Sequence, residues 1–451
     1  MNDKAGRLRI GSGSGWWGDR IDPARWNAER GALDFLCFET MAEATVSAAQ
    51  VRKRRDPAFP GYDTWLDERM RAVLPHCKAN GTRIVSNQGW INPRAAARRV
   101  AELCAQAGWA DARVAAVTAT DLSAEIAASD LRIMETGAPV STVRDTLISA
   151  EPYAGAAAIV QALDQGADIV ITGRVADPSL FLAPMMHRYG WREDDWTRLG
   201  QGSGIGHLLE CGAQVTGGYF ADPGYKDVPG LARLGYPIAE IDADGHCTLT
   251  KPPGTGGRVD ERTVKEQLLY ELHDPAAYLT PDVVADITQA SVAQVGSDRV
   301  HLQGVRGHAR PPSLKVNVCF ESGWFAEGEI SYAGARAEER ARLAGDVLRE
   351  RLASVAPLRV DLIGVASVWG DDAGRWLAAQ ASQGAQDVRL RVALQHRDHA
   401  SAQRLVREVT ALYCCGPAGG GGVRTAMRPR LGTVSCLVPR EAVNPGYTLL
   451  D

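Results

Sequence analysis

Short apolar runs alternate with amphipathic segments through the first 180 residues of the chain. Amphipathic patterns typical of helices cover residues 93–106 and 155–165. The apolar runs predict strands over residues 9–11, 33–39, 82–87, 113–118 and 168–173. Strands that alternate with helices of ~10 to 15 residues form right-handed βαβ units around a parallel sheet with helices on both faces. This half is therefore predicted to be a doubly wound, mainly parallel α/β layer.

Polar residues stand at the carboxyl ends of these predicted strands. They are residues 11–18, Glu39, Asn87, Thr118 with Asp121, and Gly173 and Arg174 with Asp177. In an open α/β sheet the ligand crevice lies outside the carboxyl ends of the strands. Because separate runs direct polar residues to one edge of the sheet, we expect a functional site there.

The second half of the chain has a different pattern. Residues 200–300 are less regular and rich in glycine and proline. Beyond them the pattern predicts a hairpin over 313–334, a helix over 337–354, strands over 359–365 and 388–395, a helix over 401–413 and a strand over 433–438. This ββαββαβ order predicts an α/β sandwich with a largely antiparallel sheet. We expect two domains: residues 1–305, a Rossmann-like α/β core with the irregular 200–300 extension, and residues 306–451, the sandwich.

The segment LRIGSGSGWWGDR, residues 8–20, matches the glycine pattern of a dinucleotide-binding loop. Its G-x-G-x-x-G pattern falls on Gly13, Gly15 and Gly18. Glu39 follows about twenty residues later, where a ribose-binding carboxylate would stand. Two tryptophans, however, fill positions where small residues normally let a helix pack, and Asp22 with Pro23 predicts a helix that begins only after the glycines. The loop is interpreted mainly as a contact for a different ligand; NAD binding and a structural turn stay open.

Residues 167–191, ADIVITGRVADPSLFLAPMMHRYGW, are the most informative segment. A fully apolar strand ends just before Arg174, and Asp177 precedes a helical pattern. Arginine at a strand end offers a two-pronged donor to a carboxylate or phosphate. Asp177 is a candidate helix cap, ion-pair partner or proton-transfer group, and an internal Arg–Asp pair is the alternative to an anion-binding site.

Further candidates for acid–base chemistry are Glu39, Asn87 and Glu210. Burial at the mouth of a strand raises a carboxyl pKa toward the range of a general base, so Glu39 is a candidate base or a helix cap. Asn87 is a candidate oxyanion donor or the start of an Asx turn. His207 and Glu210 are three residues apart and share a helix face, as acid–base partners or part of a metal site. No second cluster with ligand spacing follows, so no metal is predicted.

The segment KPPGTGG is a second glycine-rich loop. Its candidate ligand-binding residues are Lys251, Gly254, Gly256 and Gly257, a cradle for a phosphate or a coenzyme A tail. The lysine precedes the glycines, so this is not a Walker loop. A strand over 248–251 and a helix over 264–272 are predicted around it, with a capping box between Thr263 and Glu266. No G-x-S-x-G elbow is present, which disfavours an α/β-hydrolase triad.

Composition excludes several functional classes. The 451 residues are 45% hydrophobic and 23% charged, which is typical of a soluble globular enzyme. The formal net charge of -4 and the scattered basic residues disfavour nucleic acid as a partner. Neither a signal peptide nor a run of about 18 apolar residues appears, so we expect a cytoplasmic protein without a membrane partner. The nine cysteines include no C-x-x-C pair and no zinc spacing, so they are expected to be free thiols. The adjacent Cys414 and Cys415 are interpreted as buried thiols, with a reactive pair as the alternative.

A set of motifs resembles the acyclic terpene utilisation protein A (AtuA) family. The motifs are IGSGSGWWGD, ADIVITGRVADPSL, GHLLECGAQVTGG, KPPGTGG with TVKEQLLYELHDPAAYLTPDV, and GSDRV with GVRG. The resemblance covers nearly the whole chain and implies a role in the catabolism of branched acyclic terpenoids or related carboxylic acids through acyl-CoA intermediates. Fuller-length relatives carry a small additional C-terminal α/β module, which implies a small accessory subunit. Relatives tend to have an Asp-Tyr type sequence where this chain has FETMAEATVS, so no role is carried over to Glu39.

These observations favour a non-redox enzyme that acts on a small carboxylate or an acyl-CoA thioester by acid–base catalysis. The reaction would be hydration or dehydration, isomerisation, or hydrolysis of a thioester or lactone. We expect no cofactor other than the coenzyme A moiety of a substrate, and a homo-oligomer. An NAD-dependent oxidoreductase and a subunit that is active only with a small partner protein are the alternatives.

Overall fold

A computed structural model describes residues 6–119, 121–370 and 374–450. The chain divides into two compact units. The core unit comprises Met1–Cys319 and Thr433–Asp451, and the inserted unit comprises Phe320–Gly432. The domain boundary predicted after residue 305 falls inside the core unit.

Strands and helices alternate along most of the chain. The strands are β1 (Leu8–Gly15), β2 (Phe35–Glu39), β3 (Arg83–Ser86), β4 (Val114–Thr118), β5 (Leu147–Pro152), β6 (Ile169–Thr172), β7 (Ile238–Ile241), β8 (Cys247–Thr250), β9 (Tyr278–Leu279), β10 (Val284–Asp286), β11 (Ser291–Gly296), β12 (Arg299–Gln303), β13 (Arg306–His308), β14 (Ser313–Ala333), β15 (Arg359–Ile363), β16 (Asp387–His396), β17 (Gly421–Pro439) and β18 (Gly446–Leu449). The helices are α1 (Asp22–Arg30), α2 (Glu43–Arg55), α3 (Leu66–Asn80), α4 (Pro93–Gln106), α5 (Ser123–Ala127), α6 (Ala157–Asp164), α7 (Ser179–Tyr189), α8 (Trp196–Glu210), α9 (Glu261–Leu269), α10 (Ala337–Leu352), α11 (Arg375–Ala379) and α12 (His399–Cys415).

The core unit is built on one large mixed sheet. Its strand order is β11-β12-β8-β7-β1-β2-β3-β6-β4-β18. The neighbours from β1 through β2, β3 and β6 to β4 pair in parallel, and the flanking pairs are antiparallel. The five strands predicted for the first half all form, and they are the parallel part of this sheet. The predicted α/β class is therefore confirmed, and the sheet is mixed: its central strands are parallel and the strands toward both edges are antiparallel.

Helices cover both faces of the parallel strands. In β3, Ile84 packs into a cluster with α1, α3 and α4, whereas its neighbour Val85 packs into a cluster with α6, α7 and α8. Successive side chains of a strand point to opposite faces, so a strand buried on both faces must be apolar at every position. This explains why the strands read as continuous apolar runs in the sequence.

The inserted unit has the element order β-α-β-β-α-β when the short α11 is left aside. Its sheet order is β15-β16-β14-β17, and both β14 and β15 pair antiparallel with β16. This is the split βαβ arrangement of ferredoxin-like folds. Helices α10 and α12 pack on the sheet through Leu348, Leu405 and Val409.

The predicted hairpin over 313–334 is wrong, because these residues form the single long strand β14. Within this strand Gly323 has a φ of +96°, and the strand continues through it without turning back. A Cβ atom there would lie 2.6 Å from the carbonyl oxygen of His396, so the position accepts only glycine. From Trp324 to Ala333 the strand then pairs without interruption with β16.

Two local predictions need correction. Helix α9 begins at Glu261, and its capping box joins Asp260 with Thr263 instead of Thr263 with Glu266, because the helix starts three residues earlier than predicted. Cys414 and Cys415 are both exposed, since the buried face of α12 passes through Val409 and Leu412. The predicted helix start at Asp22 and Pro23 is confirmed. In the described part of the chain, no helix is long and apolar enough to cross a membrane.

We expect Gly15→Ala to lower the free energy of unfolding by about 2 kcal/mol or more, because overpacking a close contact typically costs ~1–3 kcal/mol. A Cβ atom at Gly15 would lie 2.2 Å from the carbonyl carbon of Cys211. The control is Gly446→Ala in β18, where a Cβ atom meets nothing within 4 Å. Urea denaturation measures both variants, and equal stability of the two would contradict the close approach of β1 to Cys211.

Candidate active site

The carboxyl ends of neighbouring parallel strands carry the candidate site. Glu39 ends β2, Asn87 follows β3 directly, and Arg174 stands two residues after β6. Asn87 donates from Nδ2 to Oε1 of Glu39 over 3.0 Å, and Arg174 forms an ion pair with Asp177 at 3.3 Å. The structure thus places these predicted residues at one edge of the sheet, where the strand pattern put them.

Arg174 is a buried cation with unused donors. Its side chain is 3% exposed, and its guanidinium carbon lies 4.0 Å from the ring centroid of Tyr153. Among the described residues, its Nε and Nη1 atoms have no hydrogen-bond acceptor. A buried donor without an acceptor is costly, so these two N–H groups are suited to an anionic ligand. Asp177 forms the ion pair and does not cap α7, whose N-cap is Pro178.

The carboxyl groups around Arg174 have pKa values that are shifted in opposite directions. It raises the pKa of Glu39 to about 8, and the charge of Asp177 adds to this effect. It also raises the pKa of Asp177, although Arg174 opposes the shift. Burial acts to raise the pKa of Glu43 as well, but Arg174, the Tyr153 hydroxyl and Lys315 outweigh it and lower that pKa to about 2. At neutral pH Glu39 is therefore protonated and Glu43 is ionised, although the charge of Arg174 acts on both.

Glu210 and His207 form a second buried pair at the end of α8. Nδ1 of His207 lies 2.8 Å from Oε1 of Glu210, and the imidazole ring is 5.2 Å from the ring of Tyr278 in β9. Burial raises the pKa of Glu210 well above its usual value, with a further contribution from Asp177, and burial lowers the pKa of His207 to about 4. Burial thus favours the neutral form of both side chains. The described residues include no group of three or more His, Cys, Asp or Glu that could hold a metal ion.

Tyr153, Glu43 and Lys315 complete the cluster, and the sequence reasoning missed them. The hydroxyl of Tyr153 bonds to Oε1 of Glu43, which also lies 3.3 Å from Nζ of Lys315. The ammonium of Lys315 is 4.8 Å from the centroid of the Tyr153 ring. Tyr153 follows β5, which no apolar run predicted, and Lys315 comes from β14. The position of Glu43 four residues after Glu39 was the only local signal.

Asn87 is fully engaged in holding Glu39. Its Oδ1 accepts from the backbone N–H of Thr40 over 2.8 Å and from the Thr40 hydroxyl over 3.2 Å, while Nδ2 donates to Glu39. The same Oε1 of Glu39 accepts from the N–H of Met41 over 2.5 Å. Asn87 therefore orients the carboxyl group, and Glu39 does not cap α2, whose N-cap is Ala42.

The three glycines of the G-x-G-x-x-G pattern are explained by packing within the chain. A Cβ atom at Gly13 would lie 2.5 Å from the ring of Phe38, and one at Gly18 would lie 2.7 Å from Nε1 of Trp16. Gly13 and Gly15 belong to β1, which is longer than predicted, and the N–H of Gly15 donates to Asp19 over 2.8 Å. The glycines therefore do not lie directly before a helix N-terminus, because α1 begins only at Asp22.

The KPPGTGG loop uses its donors internally. Nζ of Lys251 donates to the carbonyl of Thr255 over 2.9 Å and lies 3.2 Å from a carboxylate oxygen of Asp298. The N–H groups of Gly256 and Gly257 donate to backbone carbonyls of residues 233 and 229 over 2.7 Å each, and Gly254 takes a turn conformation with a φ of +75°. These donors serve the neighbouring segment in the observed conformation.

The fold and the site define an α/β protein whose parallel strands deliver one buried cation and several carboxyl groups to one edge of the sheet. The chain belongs to the family described as acyclic terpene utilisation family protein AtuA, whose model matches residues 8–449. The resemblance inferred from the sequence motifs is thereby confirmed. No curated protein and no solved structure matches the chain.

We expect Glu39→Gln to become more stable than the wild type as the pH rises from about 4.5 to 8. The unfolded chain ionises Glu39 near pH 4.5, whereas the folded chain holds the proton up to about pH 8, so wild-type stability falls across this window. Between pH 4.5 and pH 7 the free energy of unfolding of the wild type should fall by about 3 kcal/mol relative to that of Glu39→Gln. Chemical denaturation at several pH values measures it.

Glu43→Gln is the matched control for this titration. Because the folded pKa of Glu43 is about 2, its ionised form stabilises the protein above pH 4.5, and this contribution disappears as the pH falls toward 2. The Gln variant should therefore lose stability near neutrality and recover relative to the wild type in acid. Parallel pH profiles of Glu39→Gln and the wild type would contradict the protonated state of Glu39.

Proposed function

We propose that the protein is a non-redox enzyme that acts on a small carboxylate or an acyl-CoA thioester by acid–base catalysis. The observation that carries the proposal is the buried guanidinium of Arg174, whose Nε and Nη1 lack acceptors among the described residues. Hydration or dehydration, isomerisation, and thioester or lactone hydrolysis all need an anchored carbonyl compound with an acid and a base beside it.

Arg174 would anchor the substrate anion. The Nε–H and Nη1–H groups lie on different edges of the guanidinium plane, so each would donate one charge-assisted hydrogen bond to an anionic oxygen, and such bonds are strongest where water is excluded. Asp177 and Tyr153 hold the cation from two other directions. The remaining donors are therefore preorganised for a ligand.

Glu39 and Asp177 would move the protons. With a pKa of about 8, Glu39 carries a proton at neutral pH and is the acid. Asp177, with a side chain 34% exposed beside Arg174, is the base. In a dehydration, Asp177 would take the proton next to the carbonyl group while Glu39 gives its proton to the leaving hydroxyl. In a hydrolysis, the same base would take a proton from water.

Glu210 and Asn87 would support this pair. Glu210 adds a second buried carboxyl group, close enough to Asp177 for the charge of Asp177 to raise its pKa. Asn87 would act as a positioning residue, since both ends of its amide are occupied within the chain. Packing also accounts for Gly13, Gly15 and Gly18, so no observation favours the NAD-dependent alternative.

The family supplies the metabolic setting of the proposal. It is named for acyclic terpene utilisation, and the proposed substrates are accordingly terpenoid or branched acids, free or as coenzyme A thioesters. We further propose a cytoplasmic homo-oligomer. A small accessory subunit would extend the catalytic chain.

We expect small carboxylates or acyl-CoA thioesters to raise the melting temperature of the wild type, because a ligand at a hundredfold excess over its Kd stabilises the folded state by about 2.7 kcal/mol. Arg174→Lys keeps the charge but loses the fixed planar Nε–H and Nη1–H donors, so binding should weaken about tenfold or more. Thermal shifts followed by calorimetric titration of the best ligand measure the effect.

The control for this experiment is Arg299→Gln, which removes a half-exposed cation that pairs with Glu240. It should bind the same ligand as tightly as the wild type. Unchanged binding by Arg174→Lys would exclude the proposed anchor. A wild type that binds NADH, seen by nicotinamide fluorescence, and none of the acids would favour the oxidoreductase alternative instead.

A further inference from the structure

The turn that follows β1 begins with Trp16 and Trp17, at the edge of the sheet that carries the candidate active site. Gly15, the last residue of β1, pairs in parallel with Glu39, the last residue of β2. The hydroxyl of Ser14 also donates to the backbone carbonyl of Glu39 over 2.7 Å. The two tryptophans therefore leave the sheet directly beside Glu39.

The same turn also begins against the end of α8. A Cβ atom at Gly15 would lie 2.2 Å from the carbonyl carbon of Cys211 and 2.4 Å from the backbone nitrogen of Gly212. Cys211 directly follows Glu210, the last residue of α8. Gly15 thus lies between the ends of β2 and α8, and the turn that follows it borders the candidate active site.

A buried ion pair fixes the backbone of this turn. The side chains of Arg69, in α3, and Asp63 are 1% and 0% exposed, and Nη1 of Arg69 lies 2.6 Å from Oδ2 of Asp63. Nη2 of Arg69 donates to the carbonyl of Trp17 over 2.6 Å and lies 3.4 Å from that of Trp16. The N–H of Asp19 donates to the same carbonyl of Trp16 over 3.1 Å. The backbone of both tryptophans is therefore fixed by the protein itself.

The rings of this turn are exposed although its backbone is fixed. Trp16 and Trp17 are 49% and 37% exposed. Their ring centroids lie 6.1 Å apart with the planes at 88°, so the two indoles form one apolar corner. Gly18 leaves room for the first ring, since a Cβ atom there would lie 2.7 Å from Nε1 of Trp16. Adjacent exposed apolar rings on a rigid segment indicate a surface that contacts a ligand or a partner.

We infer that Trp16 and Trp17 bind the hydrocarbon chain of the substrate, and that the substrate is an acid or thioester with an extended chain. The inference rests on the proposed function, because Arg174 would hold the polar end of the same molecule. It assigns the selection of the chain to residues outside the ionisable cluster, at the point where β1 meets Glu39 and the end of α8.

The size of the apolar corner favours a substrate chain over a second protein. Stable protein interfaces bury ~800 Å² per partner, whereas an aromatic side chain buries only ~150–250 Å² when it is fully covered. Two partly exposed rings therefore fall well below the area that a protein partner needs. A hydrocarbon chain fits this area and gains free energy from each CH2 group that leaves water.

Calorimetric titration of the intact protein with butyrate and octanoate tests the inference. Octanoate should bind the wild type at least about tenfold more tightly than butyrate, because its longer chain removes more apolar surface from water. Trp16→Ala combined with Trp17→Ala should weaken octanoate binding about tenfold or more and leave butyrate binding within about twofold. Equal affinity of the wild type for the two acids, or an unchanged preference for octanoate in the double variant, would overturn the inference.

Octanol separates this inference from the proposed function, because it carries the chain without the anion. It should bind the wild type and Arg174→Lys equally and the double tryptophan variant at least about fivefold more weakly. This pattern without any binding of the acids would contradict the proposed anchor at Arg174 and still support the inference. Octanol binding that is absent or does not depend on the tryptophans would overturn the inference, even where Arg174 binds the acids.

The matched control is Trp369→Ala, which removes a tryptophan that is 77% exposed in the inserted unit. It should leave the binding of all three probes unchanged. Light scattering of the double variant tests the other possible occupant of the corner. A smaller assembly than the wild type, together with unchanged octanol binding, would assign the rings to a contact with a second copy of the chain and overturn the inference.

Discussion

The burial of one guanidinium among several carboxyl groups is the constraint on which the candidate site depends. A charge removed from water is stable only when neighbouring groups pair with it and satisfy its hydrogen bonds. Asp177 and the Tyr153 ring do part of this for Arg174, and two N–H groups remain without acceptors in the described residues. The same low dielectric that makes the cation costly keeps the proton on Glu39 and strengthens any bond to a bound anion.

The pKa values of neighbouring carboxyl groups differ because burial outweighs the field of Arg174 at Glu39, whereas other partners add to that field at Glu43. Glu43 lies where the Tyr153 hydroxyl and Lys315 reinforce the field of Arg174, so its pKa falls to about 2. Glu39 is fully buried and faces the charge of Asp177, so its pKa rises to about 8 although Asn87 and Arg174 oppose the shift. Titratable groups whose environments push their pKa values apart are the usual basis of acid and base roles at one pH.

Local sequence pattern was enough to predict the parallel strands and the residues at their ends. Glu39, Asn87 and Arg174 each stand at or just after the end of an apolar run, and the carboxyl ends of parallel strands meet at one edge of the sheet. Tyr153 and Lys315 were beyond this reasoning. They reach the site through the contact of β5 with β14, and the pairing of segments so far apart leaves no periodic signal in either one.

Glycine positions also show that local sequence pattern does not reveal long-range contacts. A spacing of glycines indicates only that the backbone must avoid a side chain, and the reason can lie far along the chain. Gly15 is required by the approach of Cys211, almost two hundred residues later, and Gly323 by the carbonyl of His396 in β16. Gly15 belongs to the pattern that resembled a nucleotide-binding loop, and Gly323 lies inside the segment that was predicted as a hairpin. Neither prediction could include a contact with a residue so far along the chain.

The exposed parts of the cluster indicate how a ligand would approach Arg174. The side chains of Glu43 and Asp177 are 38% and 34% exposed, whereas that of Arg174 is 3% exposed. An anion that reaches the guanidinium must therefore pass two carboxylates, and Lys315 beside Glu43 offsets part of their repulsion. Protonated Glu39, with a pKa of about 8, adds no charge against the anion at pH 7, and burial favours the neutral form of Glu210 as well. The protons retained on these buried groups would thus favour the proposed anion binding as well as the proposed proton transfer.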